Sequence, residues 1–204
     1  GAAGVDVSVE AGRLVVTGPL DDALRDALRH CKPALLELLA PVAEAPVSLR
    51  NLAPTSREQA RLWFLHRVAA NRSQYNVISA WRICGALDRR ALQAALDAQL
   101  RRHDSLRTVF LEDAEGESWQ LVTEASALTL QVHELPGAMP EQEDRLAALL
   151  SRFRTHAFDL GREIPIRADL IALSTEDNVL VLNVHHIATD GHSMQQFYRE
   201  LSET

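Results

Sequence analysis

"NVLVLNVHHIATDGHSM", residues 178–194, is the stretch that decides the fold. Side chains alternate between the two faces of an extended strand. Leu180 and Leu182 therefore share one face, and Val179 and Val181 share the other. Apolar side chains on both faces are typical of a strand inside a sheet that is covered on both sides. The run predicts a central, buried strand followed by a turn and a helix.

The same alternation separates the two adjacent histidines of this stretch. His185 and His186 point to opposite faces of the strand, so they cannot both bind one metal ion. His186, Asp190 and His192 lie close enough in sequence to converge on zinc, but three mixed ligands without the usual spacing are a poor zinc signal. We therefore expect no metal site here.

His186 stands at the carboxyl end of the predicted strand, where α/β sheets commonly present their ligands. A neutral imidazole can accept a proton at physiological pH, and a well-placed general base contributes about 10²- to 10⁴-fold in rate. From these residues alone two interpretations stay open. His186 is either the base of a site or, with His185, one of two histidines packed in a core strand.

Asp190 and Gly191 follow the histidines in the predicted turn. A buried aspartate needs a cationic partner or several backbone donors, so we expect a structural salt bridge from Asp190, with Arg107 as the candidate. Glycine adopts backbone conformations that are forbidden to other residues, and helix N-termini offer N–H groups. Gly191 is thus predicted either to place N–H groups near a carbonyl oxygen or merely to make the turn.

Composition limits the possible functions of the chain. The 204 residues are 47% hydrophobic and 24% charged, which is ordinary for a folded soluble protein, and the net charge of −7 disfavours nucleic-acid binding. No signal segment or membrane-length apolar run is visible, so we expect no membrane association. Cys31 and Cys84 fall in different predicted units, which indicates no disulfide framework and a reducing, cytoplasmic location.

The N-terminal part predicts a small domain of its own. "VDVSVEAGRLVVTG" (5–18) alternates like a β-hairpin, and leucines at helical spacing follow, with Pro33 suited to the start of a second short helix. We assign residues 1–40 to a β-hairpin plus two-helix domain, which is too small to be stable without a neighbour. Residues 41–47, rich in Ala and Pro, predict a linker.

Residues 48–204 predict an α/β unit with a mixed sheet. The elements run in the order α-β-α-β-β-β-α-β-β-α, which is typical of an α/β sandwich. The predicted helices are Ser56 to about Ala70, Asp88 to His103, Pro140 to about His156, and Ser193 onward.

Three stretches, taken together, resemble the first three core motifs of nonribosomal peptide synthetase condensation domains. They are "SREQARLWFL" (56–65), "RHDSLRTVF" (102–110) and "VHHIATDGHS" (184–193), with "QYNV" (74–77) and "GALDRRALQAAL" (85–96) as further similarities. The resemblance covers residues 48–204 and implies a chloramphenicol-acetyltransferase-like fold of which only the N-terminal lobe is present.

The resemblance also implies roles for the residues of the third motif. His186 would catalyse, or position substrates for, attack of an acceptor α-amine on a donor thioester, with His185, Asp190, Gly191 and Arg107 as support. Both substrates would arrive on phosphopantetheine arms of donor and acceptor carrier domains, so no cofactor is expected to bind this chain directly. The tunnel lies between two lobes in the family, so we expect this chain alone to be weak or inactive.

Residues 4–40 resemble a second family, the β-hairpin docking domains found at the N-termini of such synthetases. This implies binding of a short C-terminal segment of an upstream synthetase subunit by strand addition. The expected contacts are Val15, Val16 and Thr17, with Arg13 for an acidic partner. The family has a helix ahead of the hairpin, whereas only residues 1–3 precede it here.

Two alternative functions stay open beside condensation. The histidine motif also occurs in other acyltransferase and epimerisation domains, and the chain would serve as a pure subunit-docking module if it had no catalytic role. His103 is predicted to order the fold rather than react.

Overall fold

The computed structural model describes most of the chain, and its residues form two compact units. The described residues are 5–10, 13–39, 47–48, 52–124, 127–138 and 140–203. The first unit comprises 1–68, 107–124 and 159–164, and the second comprises 69–106, 125–158 and 165–204. Residues 11–12 of the predicted hairpin lie outside the described residues. So does the predicted linker 41–47, except for Val47, which lies in a short strand.

The elements follow the predicted order, with two short strands added. The strands are β1 (Asp6–Glu10), β2 (Arg13–Thr17), β3 (Val47–Ser48), β4 (Leu52–Pro54), β5 (Asn76–Cys84), β6 (Thr108–Glu112), β7 (Ser118–Val122), β8 (Leu130–Glu134), β9 (Ile166–Ser174) and β10 (Asp177–His185). The helices are α1 (Asp22–His30), α2 (Lys32–Leu39), α3 (Arg57–Val68), α4 (Arg89–Arg102), α5 (Glu141–Arg154) and α6 (Gly191–Ser202).

The first unit holds the predicted hairpin and helices together with a second small sheet. One sheet has the order β2-β1-β3, and the other has the order β4-β7-β6, both antiparallel. Asp21 caps α1 by accepting a hydrogen bond from the Leu24 N–H at 2.7 Å. The strands β3 and β4 were not predicted, because two and three residues are too few to show a period.

One apolar core joins the hairpin domain to the second sheet of this unit. Its buried members are Val7, Leu28, Cys31, Leu35 and Leu39 from the N-terminal part and Val109, Leu111 and Leu121 from β6 and β7. The compact units therefore cut across the predicted division into residues 1–40 and 48–204. The physical reason is size, because so short a chain cannot bury enough apolar surface by itself.

Cys31 shows that solvent is excluded from this core. Its side chain is fully buried, and burial, followed by the nearby charges of Asp113 and Glu115, raises the pKa of the Cys31 thiol to about 12. The thiol is therefore protonated at neutral pH and behaves as a small apolar group.

The second unit contains a four-stranded mixed sheet of order β5-β10-β9-β8. β8 runs parallel to β9, and the other pairs are antiparallel. β10 lies between two strands and is buried from Asn178 to His185, which confirms the predicted central strand. Val179 and Val181 belong to a core with Leu146 and Phe153 of α5, so α5 covers the face that carries these valines.

The helix boundaries of this unit follow from their caps. Asp88 accepts hydrogen bonds from the N–H groups of Arg90 and Ala91, so α4 begins at Arg89, close to the predicted start. α6 begins at Gly191 rather than at Ser193, because Asp190 caps it. Residues 104–107 form a 3₁₀ turn, and the strand β6 begins directly after it at Thr108.

Candidate functional site

The central strand β10 carries the two histidines to one end of its sheet. His185 is the last residue of the strand and pairs with Asn76 of β5. His186 is the first residue beyond the strand. β10 pairs with β5 on one side and with β9 on the other. These two pairings fix the end of the strand and therefore the position of the histidine pair.

His185 is a buried structural residue. Its side chain has no solvent exposure, and its ring packs edge-on against Phe158, with 6.2 Å between ring centroids. Its backbone N–H donates to the Pro165 carbonyl at 2.9 Å, and its Nδ1 accepts from the Ile187 N–H at 3.1 Å. Because Nδ1 is an acceptor, the proton of the neutral ring lies on Nε2. His185 thus anchors the start of the loop.

His186 is solvent-exposed, and a hydrogen bond at Nδ1 holds its ring in place. Its backbone N–H donates to the Tyr75 carbonyl at 2.8 Å. Its Nδ1 lies 2.6 Å from the carbonyl oxygen of Thr189. A carbonyl only accepts, so Nδ1 carries a proton and donates, and in the neutral ring Nε2 keeps its lone pair. This is the tautomer that a base acting through Nε2 requires.

The loop after His186 closes onto the N-terminus of α6. The Asp190 carboxylate accepts from the Ser193 N–H at 2.8 Å and from the Ser193 hydroxyl at 2.7 Å. These two bonds hold the pKa of Asp190 below its usual range. The Met194 N–H donates to the Asp190 carbonyl at 3.0 Å. Asp190 therefore acts as the helix cap that fixes the end of the loop.

Two expectations for this loop were wrong, the burial of Asp190 and the special backbone conformation of Gly191. That N–H groups beside Gly191 face a carbonyl oxygen stays a prediction. Asp190 is exposed rather than buried, because its place at the helix N-cap lies at the surface. Gly191 has no left-handed backbone, and a β-carbon added there would meet no atom within 4 Å in this chain. Gly191 is the first residue of α6, where the backbone conformation is open to any residue. The turn does not need a glycine.

Arg107 lies in the other compact unit, at the end of the 3₁₀ turn. Its Nη1 donates to the Thr123 carbonyl, and the Thr123 N–H and hydroxyl both donate to the Arg107 carbonyl. These bonds join the start of β6 to the end of β7. The ion pair between Arg107 and Asp190 stays a prediction.

His103 is placed by a contact that sequence reasoning did not specify. Its Nε2 lies 2.7 Å from a carboxylate oxygen of Glu200 on α6, so it ties the end of α4 to α6. Hydrogen bonds from Gln196, first, and from His103, second, hold the pKa of Glu200 below its usual range. This contact agrees with the predicted ordering role of His103, and its lack of a part in the reaction stays a prediction.

The predicted docking residues lie on β2, at the edge of the N-terminal sheet. β2 pairs with β1, and no described strand pairs with its other side. Leu14 and Val16 pack against the shared core, so Arg13, Val15 and Thr17 point to the opposite face by alternation. Arg13 and Thr17 are exposed and Val15 is half-buried. Val16 thus stabilises the core, and its contact with a partner stays a prediction.

Neither a metal cluster nor a membrane helix is found within the described ranges. No three His, Cys, Asp or Glu side chains there converge as possible metal ligands. None of the described helices is both long enough and apolar enough to cross a bilayer.

Comparison with known proteins identifies relatives over most of the chain. The family model described as "Condensation domain" matches residues 50–204. A probable non-canonical nonribosomal peptide synthetase of Salinispora arenicola is 40% identical over 157 residues, which are 77% of this chain and 2% of that protein. The dimodular nonribosomal peptide synthase of Bacillus subtilis is 39% identical over 148 residues, 72% of this chain and 6% of that protein.

The backbone is also similar to solved structures. The first condensation domain of the calcium-dependent antibiotic synthetase, in complex with a substrate analogue, superimposes with a TM-score of 0.66 at 25% identity. The match covers 76% of this chain and 38% of that one. The chain thus spans a small share of its curated relatives and well under half of the matched solved chain.

Proposed function

The chain belongs to the condensation-domain family, and on that premise we propose that it supplies the N-terminal lobe of a domain that forms peptide bonds in a nonribosomal peptide synthetase. The donor is an aminoacyl or peptidyl thioester on one carrier domain, and the acceptor is the α-amine of an amino acid on a second carrier domain. The observation that carries this proposal is the hydrogen bond between Nδ1 of His186 and the Thr189 carbonyl. In the neutral ring this bond leaves the lone pair on Nε2.

His186 acts as the base of the reaction. The acceptor nitrogen forms a bond to the thioester carbonyl carbon and loses one proton to Nε2 of His186. The carbon–sulfur bond then breaks, and the thiol leaves with that proton. The ring becomes positively charged during this step, and the Nδ1–H bond to the Thr189 carbonyl strengthens as the charge forms.

The supporting residues of the motif hold His186 in place. His185 anchors the loop in the core, and Asp190 fixes its other end by capping α6. Arg107 orders the β6 and β7 strands in its own unit. Since Gly191 has room for a β-carbon within this chain, the role left to it is to allow the acyl substrate to approach the N-terminus of α6.

Phosphopantetheine enters this scheme as part of the two substrates. Each thioester is carried on the arm of a carrier domain, so the chain binds the arm only while the carrier is docked. The nonribosomal peptide synthetases to which the chain is similar are far longer than this sequence. The carrier domains, and the second wall of the tunnel that the arms enter, are proposed to be other parts of such an assembly.

The chain alone is expected to form no peptide bond above the uncatalysed rate, because one lobe cannot enclose two carrier arms. The test mixes the 204-residue chain with loaded donor and acceptor carriers and follows the acceptor by mass spectrometry. The full-length synthetase under the same conditions is the positive control. Turnover by the chain alone at the rate of the full-length protein would contradict this expectation. Product from acyl-coenzyme A and a free amine, with none from carriers, would instead favour another acyltransferase.

A second function, docking, is favoured by the edge of β2 that no described strand covers. A strand at the edge of a sheet offers unpaired N–H and C=O groups to an added strand. The outward face of β2 presents Arg13, Val15 and Thr17, while the inward face is anchored to the core through Val16. We propose that the C-terminal segment of an upstream synthetase subunit pairs with β2, with an acidic side chain near Arg13.

Exchanging Arg13 for glutamate together with Val15 for aspartate is expected to weaken binding of this segment at least tenfold. The double variant places two carboxylates on the face that meets an acidic partner, while the core residues on the other face are unchanged. The probe is a synthetic peptide with the C-terminal sequence of the upstream protein, titrated into the whole chain by calorimetry. Arg29→Glu is the matched charge reversal, on an exposed face of α1. Equal loss of affinity in the double variant and in Arg29→Glu would contradict the assignment of β2 as the binding site.

A further inference from the structure

A polar cavity of about 300 Å³ lies on the sheet face of the second unit, beyond the end of α5. Its lining includes His133, Arg152, His156, Arg167, Asp169 and Asn183. The lining residues all belong to the second unit, so the cavity is complete within one compact body. The volume lies at the small end of the range for ligand pockets.

Strand register places three of these side chains next to one another. Asn183 of β10 lies directly opposite Arg167 of β9, and Asp169 follows two residues later on the same face. Further along that face, Ile171, Val179 and Val181 are apolar and packed in the α5 core. The sheet face therefore changes from apolar to polar where α5 ends.

The charges in the cavity sum to an excess of positive charge. Asp169, which is 2% exposed, lies 2.8 Å from Nε2 of His133. Arg152 and Arg167 also line the cavity, and Asp169 is the one carboxylate among the described residues of its lining. Arg167 also approaches Nδ1 of His156 at 3.3 Å. An anion in the cavity would be stabilised by the two guanidinium groups, which suit planar oxyanions.

Asn183 brings a hydrogen-bond acceptor to the cavity lining, in contrast to the two arginines, which are donors. The residue is 2% exposed, and its Nδ2 donates to the Phe153 carbonyl at 2.9 Å. This bond fixes the orientation of the amide, because only the nitrogen can donate to a carbonyl. Its Oδ1 is buried and has no hydrogen-bond partner among the described residues. A buried acceptor of this kind calls for a donor.

We propose that this cavity binds a small oxyanion that carries its own O–H donor. The anionic oxygens pair with Arg152 and Arg167, and the O–H donates to Oδ1 of Asn183. Hydrogenphosphate and α-hydroxy carboxylates have both groups, whereas sulfate and simple carboxylates have only the anionic oxygens. The site is separate from His186 and does not rest on the proposed condensation reaction.

The test titrates four sodium salts into the isotope-labelled chain and follows amide and guanidinium signals by NMR. Phosphate and glycolate are the probes with an O–H donor, and sulfate and acetate are their matched controls without one. We expect the first two to bind at least tenfold more tightly than their controls, with shifts centred on Arg167 and Asn183. Equal affinity for all four salts, or shifts located elsewhere, would overturn the proposal.

Variants separate this site from general attraction of anions to the surface. Arg167→Gln and Arg152→Gln are each expected to weaken phosphate binding at least tenfold. Arg154→Gln removes a charge from the last turn of the same helix, outside the cavity lining, and should leave binding unchanged. Asn183→Leu is expected to abolish the preference for phosphate over sulfate. If Asn183→Leu does not fold, the arginine variants and the four-salt comparison still test the proposal. An equal loss of phosphate affinity in all three arginine variants would contradict the site.

Discussion

Replacing His186 with alanine in the proposed full-length synthetase is expected to slow peptide-bond formation by about 10²- to 10⁴-fold, the usual contribution of a general base. The side chain is solvent-exposed, so folding should be unaffected. The variant removes Nε2 while the loop keeps its anchors in His185 and Asp190. The measurement is the single-turnover rate of transfer between loaded carriers.

The matched control for this prediction is His30→Ala. His30 is also exposed and is the last residue of α1, in the other compact unit. Its removal should leave the transfer rate within about twofold, because surface substitutions away from special features are usually nearly neutral. If both variants, or neither, lost activity, His186 would have no special role in the step.

Replacing Leu35 with alanine is expected to lower the free energy of unfolding by about 2–5 kcal/mol, the usual cost of such a change in a packed core. Leu35 is fully buried among residues of both the hairpin domain and the β6–β7 sheet. Because one core serves both parts, amides of β6 and β7 should lose protection from hydrogen exchange along with those of α2. Denaturant unfolding and exchange of the whole chain measure the two effects.

Lys32→Ala on the same helix is the control for the core prediction. Lys32 is exposed at the start of α2, and its truncation should change stability by less than about 0.5 kcal/mol. Loss of protection confined to residues 5–39 in the Leu35 variant would show that the N-terminal domain has a core of its own. In that case the shared core would be wrong.

The central strand was predictable because its pattern is strict. Apolar residues on both faces of β10 leave no solvent-facing side, and the strand indeed lies between β5 and β9. The same alternation separated His185 from His186 and assigned them different environments. The likeness to solved condensation domains confirms the predicted α/β fold with its mixed sheet and helices.

The shared core was not predictable from these patterns. Val109, Leu111 and Leu121 show that β6 and β7 have an apolar face, but period alone does not say which element covers it. The hairpin domain is too small to bury a core alone, but the sequence did not indicate that β6 and β7 would complete that core.

The side chains of the site could be predicted from the sequence, but the backbone hydrogen bond that orients His186 could not. The bond that selects the tautomer of His186 goes to the backbone carbonyl of Thr189, and any residue supplies a carbonyl. The expected burial of Asp190 failed for a related reason, since an aspartate before a helix satisfies its oxygens by capping. That capping signal, Asp190 three residues ahead of Ser193, was present in the sequence and would have predicted the start of α6.

The most direct test of the central claim is the mass of the acceptor carrier after one turnover in the full-length synthetase. With loaded donor and acceptor carriers, the unmodified synthetase should convert the acceptor to the condensed product. The His186→Ala variant should leave the acceptor unextended over the same interval while still binding both carriers. Extension of the acceptor by the variant at the unmodified rate would contradict the role assigned to His186.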